Sequence, residues 1–180
     1  MATLRKASAY RKVTRAYTRK SQTRKKGFIK TIPTHKIVSF NMGDHSKEYD
    51  YKLDLFSKDK IQIRHNAIES VRLLVHRRLT KKVGNMNYYL TINVFPHQIL
   101  RENRMLTGAG ADRMQTGMQQ AFGKPMGRAA QIKKNQSLFS AFVTKEDLEE
   151  AKEALKLSFT RLPCKCGIEI KKIPKENLTV

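Results

Sequence analysis

Residues 61–96, IQIRHNAIESVRLLVHRRLTKKVGNMNYYLTINVFP, change their hydrophobic period twice, and those changes set the fold class. Lys60 to Arg64 reads as a short strand. Ile68, Val71, Val75 and Leu79 then recur at three- and four-residue intervals, which places them on one face of a helix spanning about 67–83. Asn66 with Glu69 three residues on forms a variant of the capping box, and Gly84 supplies the C-terminal stop. The opposite side carries Arg77 and Lys81, with Arg72 and Arg78 flanking the apolar stripe; a solvated face and an RNA contact are both open readings. From Tyr88 the period falls to two: Tyr88, Leu90, Ile92 and Val94 alternate with Tyr89, Thr91 and Asn93, and Pro96 disfavours further ladder pairing.

Working outward, Ile37 to Phe40 is a short strand candidate, and Tyr49, Tyr51, Leu53 and Leu55 alternate as a half-buried strand should. Strands resume at about 128–134 and 137–143, with Asn135 and Gln136 near the turn. Thr144 can cap a second helix whose Leu148, Ala151 and Leu155 form the buried stripe, and Ile168 to Ile170 closes the chain with a last strand. Two helices separated by strands that pair as hairpins predict an α+β two-layer domain with both helices on one sheet face. The expected organisation is a basic arm over 1–30 and a single α+β domain over 31–180 that carries a mobile loop at 102–123.

Charge selects the partner. The 180 residues contain 37 Lys plus Arg against 15 Asp plus Glu, a net charge of +22, and such a balance demands a polyanion. Arg5, Lys6, Arg11, Lys12, Arg15, Arg19, Lys20, Arg24, Lys25, Lys26, Lys30 and Lys36 all precede the first acid, Asp44. Up to Lys26 no apolar period is sustained, so the arm needs a partner to order it. Tyr10 and Tyr17, interleaved with these cations, offer flat groups for stacking on bases while Arg and Lys take phosphates. An Arg-rich, acid-free start also fits a mitochondrial transit peptide, but the basic character continues well beyond it. No run approaches the roughly 18 apolar residues of a membrane span, and the start lacks a secretory apolar core, so a soluble intracellular protein is expected.

Enzyme chemistry finds no constellation. His35, His45, His65, His76 and His97 show no zinc-protease spacing, and no Ser or Cys lies in a nucleophile motif. His45 beside Asp44 and Glu48 is the best metal candidate on paper and reads better as an exposed loop. Cys164 and Cys166 have no second Cys/His pair at zinc spacing and read as reduced thiols. No catalytic, metal or cofactor site is expected, and no small-molecule substrate.

Residues 101–128, RENRMLTGAGADRMQTGMQQAFGKPMGR, hold five of the nine glycines: Gly108, Gly110, Gly117, Gly123 and Gly127. Such density favours a mobile excursion, and Arg101, Arg104, Arg113, Lys124 and Arg128 against Glu102 and Asp112 again suit phosphate. No phosphate-loop or dinucleotide fingerprint is present. Met105, Met114, Met118 and Met126 supply adaptable apolar contact.

The run GADRMQTGM from Gly110 to Met118, followed by AFGKPMG from Ala121 to Gly127, strongly resembles the signature of a family of large-subunit ribosomal proteins. It is the archaeal and eukaryotic protein ten-e family, whose bacterial counterpart is protein sixteen. AYR at Ala9 to Arg11, YTR at Tyr17 to Arg19, IRHNA at Ile63 to Ala67 and FPH at Phe95 to His97 support the match. Few cysteines and a short C-terminus resemble the archaeal type. The resemblance implies a mixed sheet, mostly antiparallel, and a structural protein of the large subunit held by large-subunit rRNA among neighbouring ribosomal proteins, on the cytoplasmic ribosome. It further implies a loop reaching toward the peptidyl-transferase centre to help position tRNA between A and P sites. Carried onto this chain, Arg104, Gly108, Gly110, Arg113, Met114, Gln115, Thr116, Gly117, Lys124 and Arg128 are the tRNA-proximal residues. The competing class is a non-ribosomal architectural nucleic-acid-binding protein, which the arm alone would permit.

Overall fold

The computed structural model describes residues 5–13, 29, 31–103 and 123–174. In chain order the elements are β1 (Asn41–Gly43), β2 (Tyr51–Ser57), β3 (Ile61–Arg64), α1 (His65–Lys82), β4 (Tyr88–Ile92), β5 (Gln98–Glu102), β6 (Lys124–Ile132), β7 (Ser137–Val143), α2 (Leu148–Leu157) and β8 (Cys166–Lys172). The expected α+β class holds, with two helices and antiparallel sheets.

The strands divide into a five-stranded sheet of order β1-β4-β7-β2-β8 and a three-stranded sheet of order β3-β6-β5. Every pairing among the described strands is antiparallel, where the family resemblance had implied a mixed sheet. In the larger sheet Leu55 faces Phe139, and Phe139 in turn faces Ile92. Leu53, Leu55, Tyr88, Leu90, Phe139 and Ala141 have no exposed surface. α1 packs along α2, both lie against the five-stranded sheet, and α1 also reaches β3 and β6. The stripe Ile68, Val71, Val75 and Leu79 enters the core as the period demanded.

Both ends of α1 are instructive. At the C-terminus Val83 and Gly84 donate to the Leu79 carbonyl at 2.8 and 3.2 Å, and Gly84 takes φ +93°, a conformation suited to glycine. At the N-terminus the capping box does not form. Arg64 is the cap residue without a side-chain cap bond, while Glu69 turns to Arg72 at 2.6 and 2.8 Å and accepts the Val38 N–H at 3.3 Å. A half-buried carboxylate gains more from a bidentate guanidinium than from one backbone N–H.

Four other expectations shift. Ile37 to Phe40 is not a strand: Ile37 is buried, but the Pro33–Val38 stretch is tied by side chains, Arg128 Nε donating to the Pro33 carbonyl at 2.6 Å, and apart from the Ile92 N–H donating to the Phe40 carbonyl at 2.9 Å the ladder begins at β1. Gly43 in β1 has φ +87°, and a Cβ there would stand 2.0 Å from the Tyr88 carbonyl oxygen, so only glycine fits. β5 is an additional strand, and β6 starts at Lys124 rather than 128. Asp147, not Thr144, holds the N-cap position of α2, without a side-chain cap bond; its carboxylate accepts the Thr144 hydroxyl at 3.0 Å. Asn135 takes φ 60° in the β6–β7 turn, as its residue type allows.

Candidate nucleic-acid interface

The two faces of the three-stranded sheet do different work. Along β3, Ile61 and Ile63 are buried toward α1, while Gln62 and Arg64 point the other way. This second face receives the start of the arm. Residues Ala7–Tyr10 form a short 3-10 helix, and the Gln62 backbone N–H donates to the Arg11 carbonyl at 3.0 Å while its side-chain amide donates to the Tyr10 carbonyl at 3.0 Å. Arg64 donates to the Arg5 carbonyl at 2.9 Å and lies over the Tyr10 ring at 5.8 Å.

Tyr10 is the anchor. It is 9% exposed, packs with Leu100 and Ala129, and donates its hydroxyl to the buried carboxylate of Glu102, which Arg5 also pairs at 3.0 Å. Burial above all, with the bond to Glu102, pushes the phenol up to about 12 from its ordinary 10.0, so the hydroxyl stays protonated and donates. A ring held in this way is not presented for base stacking, and that part of the reading of Tyr10 is corrected. Glu102 ends β5 and faces Lys124 at the start of β6. The arm is therefore fastened where the chain departs into 104–122 and returns.

Of the other arm cations, Lys6, Arg11 and Lys12 are exposed beside this anchor. Arg15, Tyr17, Arg19, Lys20, Arg24, Lys25 and Lys26 lie outside the described residues, as do Arg104, Gly108, Gly110, Arg113, Met114, Gln115, Thr116 and Gly117. Lys124 is exposed, and Arg128 is half-buried.

A second cationic group surrounds the start of α1. His65, its first residue, is 4% exposed; burial chiefly, then the charges of Lys36, His35, Arg64 and Arg128, hold its imidazole below the ordinary value. Its Nδ1 and that of His35 are buried with no hydrogen-bond partner among the described residues. No acid stands in the first turn of α1. Beside His35 lie Phe40 and Phe95, stacked on each other at 5.6 Å, with His35 edge-on to Phe95 at 5.4 Å. Of these residues the sequence pointed to nucleic acid only for Lys36, as one of the cations before Asp44, and Arg128. Arg64 and His65 lay in the IRHNA run and Phe95 in FPH, valued there for resemblance alone.

The opposite flank is neutralised. Arg78 on α1 meets Glu150 at 3.6 Å and Glu153 at 3.1 Å on α2, and Lys82 meets Glu150 at 3.4 Å. Arg72 is buried on Glu69, so it is neither part of a solvated face nor presented to RNA. Arg77 and Lys81 remain exposed.

Cys164 and Cys166 are free thiols with sulfurs 3.4 Å apart; the Cys166 thiol hydrogen bond lowers Cys164 to about 7 and correspondingly raises Cys166. Among the described residues no group of three or more His, Cys, Asp or Glu could hold a metal ion, and no helix is long and apolar enough to cross a membrane.

A basic α+β chain with a cationic group around the three-stranded sheet and the start of α1, and acids on α2, has the character of a nucleic-acid-binding structural protein. The family model of ribosomal protein L16p/L10e matches residues 14–169. Large ribosomal subunit protein uL16 of Sulfolobus acidocaldarius is 43% identical over 176 residues, covering 96% of this chain and 97% of its own. The uL16 proteins of Hyperthermus butylicus, 42% identical over 84% of each chain, and Methanococcus aeolicus, 41% identical over 94% of this chain and 95% of its own, are similar throughout. The chain belongs to the ribosomal protein L16p/L10e family. It is a large-subunit ribosomal protein with a structural role in translation, and not an enzyme.

Proposed function

We propose that this chain binds large-subunit rRNA through its arm and three-stranded sheet, and helps position tRNA between the A and P sites through the loop at 102–123. The observation that carries the reading is the Tyr10–Glu102–Arg5 anchor, which fastens the arm at the base of that loop. Fixing the arm there lets one set of phosphate contacts set the position of whatever the loop touches. The arm over 1–30 and the domain over 31–180, its helices layered on the five-stranded sheet with the three-stranded sheet beside them, then act as anchor and scaffold. Neighbouring ribosomal proteins complete the setting, on the cytoplasmic ribosome. Arg104, Arg113, Gln115 and Thr116 are the residues proposed nearest tRNA, and Arg15, Arg19, Lys20, Arg24, Lys25 and Lys26 take rRNA phosphates with Tyr17 stacking.

The test replaces Met105 to Gln119 with a short Gly-Ser linker. Reconstituted large subunits should incorporate the variant with an unchanged melting transition of the free protein, yet place A-site or P-site tRNA poorly. Normal tRNA binding and peptide synthesis would reduce the segment to a connector. A large loss of thermal stability would make it part of the core.

A further inference from the structure

The α1 start has the attributes of an anion site. An 18-residue helix presents its first turn without a side-chain cap and without an acid. The unsatisfied N–H groups and the helix dipole there favour negative charge. Two side chains at this place, one on the helix and one outside it, point to a ligand. His65 is buried with an unpartnered Nδ1, and His35 beside it has an unpartnered, buried Nδ1 of its own, among the described residues. Buried polar atoms almost always have partners, so two orphans among these cations indicate a group that completes them. Lys36 is exposed, and Arg128 spends Nε on the Pro33 carbonyl. The closest acid on the helix, Glu69, is consumed by Arg72.

What the anion belongs to is indicated by the rings. Phe95 is 50% exposed while stacked on the half-buried Phe40, and His35 links this pair to the cationic group. A free phosphate has no use for an exposed aromatic face; a nucleotide has. We infer that the start of α1, with Lys36, His35, His65 and Arg128, binds one backbone phosphate of an RNA, with the adjoining base or ribose against Phe95.

The inference rests on the rRNA-binding reading above and goes beyond it by naming the site. Two measurements on the full-length chain test it. In the first, the His65 imidazole nitrogen resonances are followed while inorganic phosphate is added at constant ionic strength; they should move, and Phe95→Ala should not alter the response. In the second, binding to large-subunit rRNA is measured across a salt series. Lys36→Gln should weaken it about tenfold, the loss of one charge-assisted contact, and flatten the salt slope by about 0.7–0.9 for one phosphate released. Phe95→Ala should also cost about tenfold, while Lys156→Gln on α2 changes neither quantity.

Still resonances together with wild-type rRNA affinity in Lys36→Gln would overturn the site and leave rRNA binding intact. Moving resonances in a chain that does not bind rRNA would keep the anion site and defeat the ribosomal reading of it. Moving resonances with unchanged rRNA affinity in both variants would make this a free-phosphate site and overturn the inference.

Discussion

The five-stranded sheet and the three-stranded sheet are made from strands of similar length, yet they use the alternation of side chains differently. In the larger sheet the inward rows of β2, β4 and β7 are fully buried beneath the helices, and the polar Asp54 is taken up internally by the Ser140 hydroxyl and by Lys52 at 3.3 Å. In the smaller sheet only one face, Ile61, Ile63, Ala130 and Ile132, serves the core. The other face uses Gln62 and Arg64 to grip backbone carbonyls of the arm. The polar residues of an amphipathic strand are usually left to solvent. Here they are the means by which a segment with little apolar content of its own is held at a defined place.

This contrast predicts separable defects. The largest effect is expected in the five-stranded sheet. Phe139→Ala removes a ring with no exposed surface between Leu55 and Ile92 and should cost about 3–5 kcal/mol, read as a lower denaturation midpoint with unchanged slope. The folded fraction should keep wild-type rRNA affinity. A loss of binding beyond the loss of folded protein would show that the two sheets are not functionally separate.

The same contrast explains what the sequence made legible. Elements whose residues repeat locally were recovered: α1, β2, β4, β7 and α2 lie within a few residues of their expected bounds. β5 was not, because Ile99 and Leu100 are adjacent rather than alternating, and a register shift between Leu100 and Arg101 breaks the pattern further. Nor was the division into two sheets, which depends on pairings such as Ile61 with Ile132 across about seventy residues. The site divided in the same manner. Composition revealed a basic arm, while Tyr10 and Glu102, 92 residues apart, carry no local sign that one will hold the other. The histidines show no metal spacing, and nothing local marks His65 and His35 as a pair; the fold sets His65 among His35, Lys36 and Arg128.

A smaller and more local effect is expected at the arm. Tyr10→Phe keeps the ring and removes the hydroxyl that Glu102 accepts, and should cost about 1–2 kcal/mol. Faster exchange of the Gln62 amide, which donates to Arg11, should accompany it. The pH dependence has a definite sign. Because the folded phenol sits at about 12, above its ordinary 10.0, its contribution is fully present below pH 10 and is lost as pH rises through 12. Tyr49 and Tyr88 are raised as well, so the comparison must be wild type against Tyr10→Phe across that window. Parallel stability curves from pH 9 to 12 would mean that the Tyr10–Glu102 bond does not hold the arm.

The smallest effect is expected on the far flank, and it is the one that most directly tests which side of the molecule meets RNA. Arg78 lies on α1, on the same helix whose first turn is the proposed phosphate site, but its side chain is turned to Glu150 and Glu153 of α2. Those carboxylates are about a third to more than half exposed, so solvent screens the pairs and Arg78→Gln should cost less than about 1 kcal/mol. It should leave the salt slope of rRNA binding unchanged, since a cation already facing acids releases no counterions when RNA binds. The early acids of α2, Glu149 and Glu150, also complement its dipole and repel phosphate. An Arg78→Gln variant with a shallower salt slope would mean that RNA displaces Glu150 and Glu153. The acidic helix would then lie at the interface, and the division of labour between the two flanks would fail.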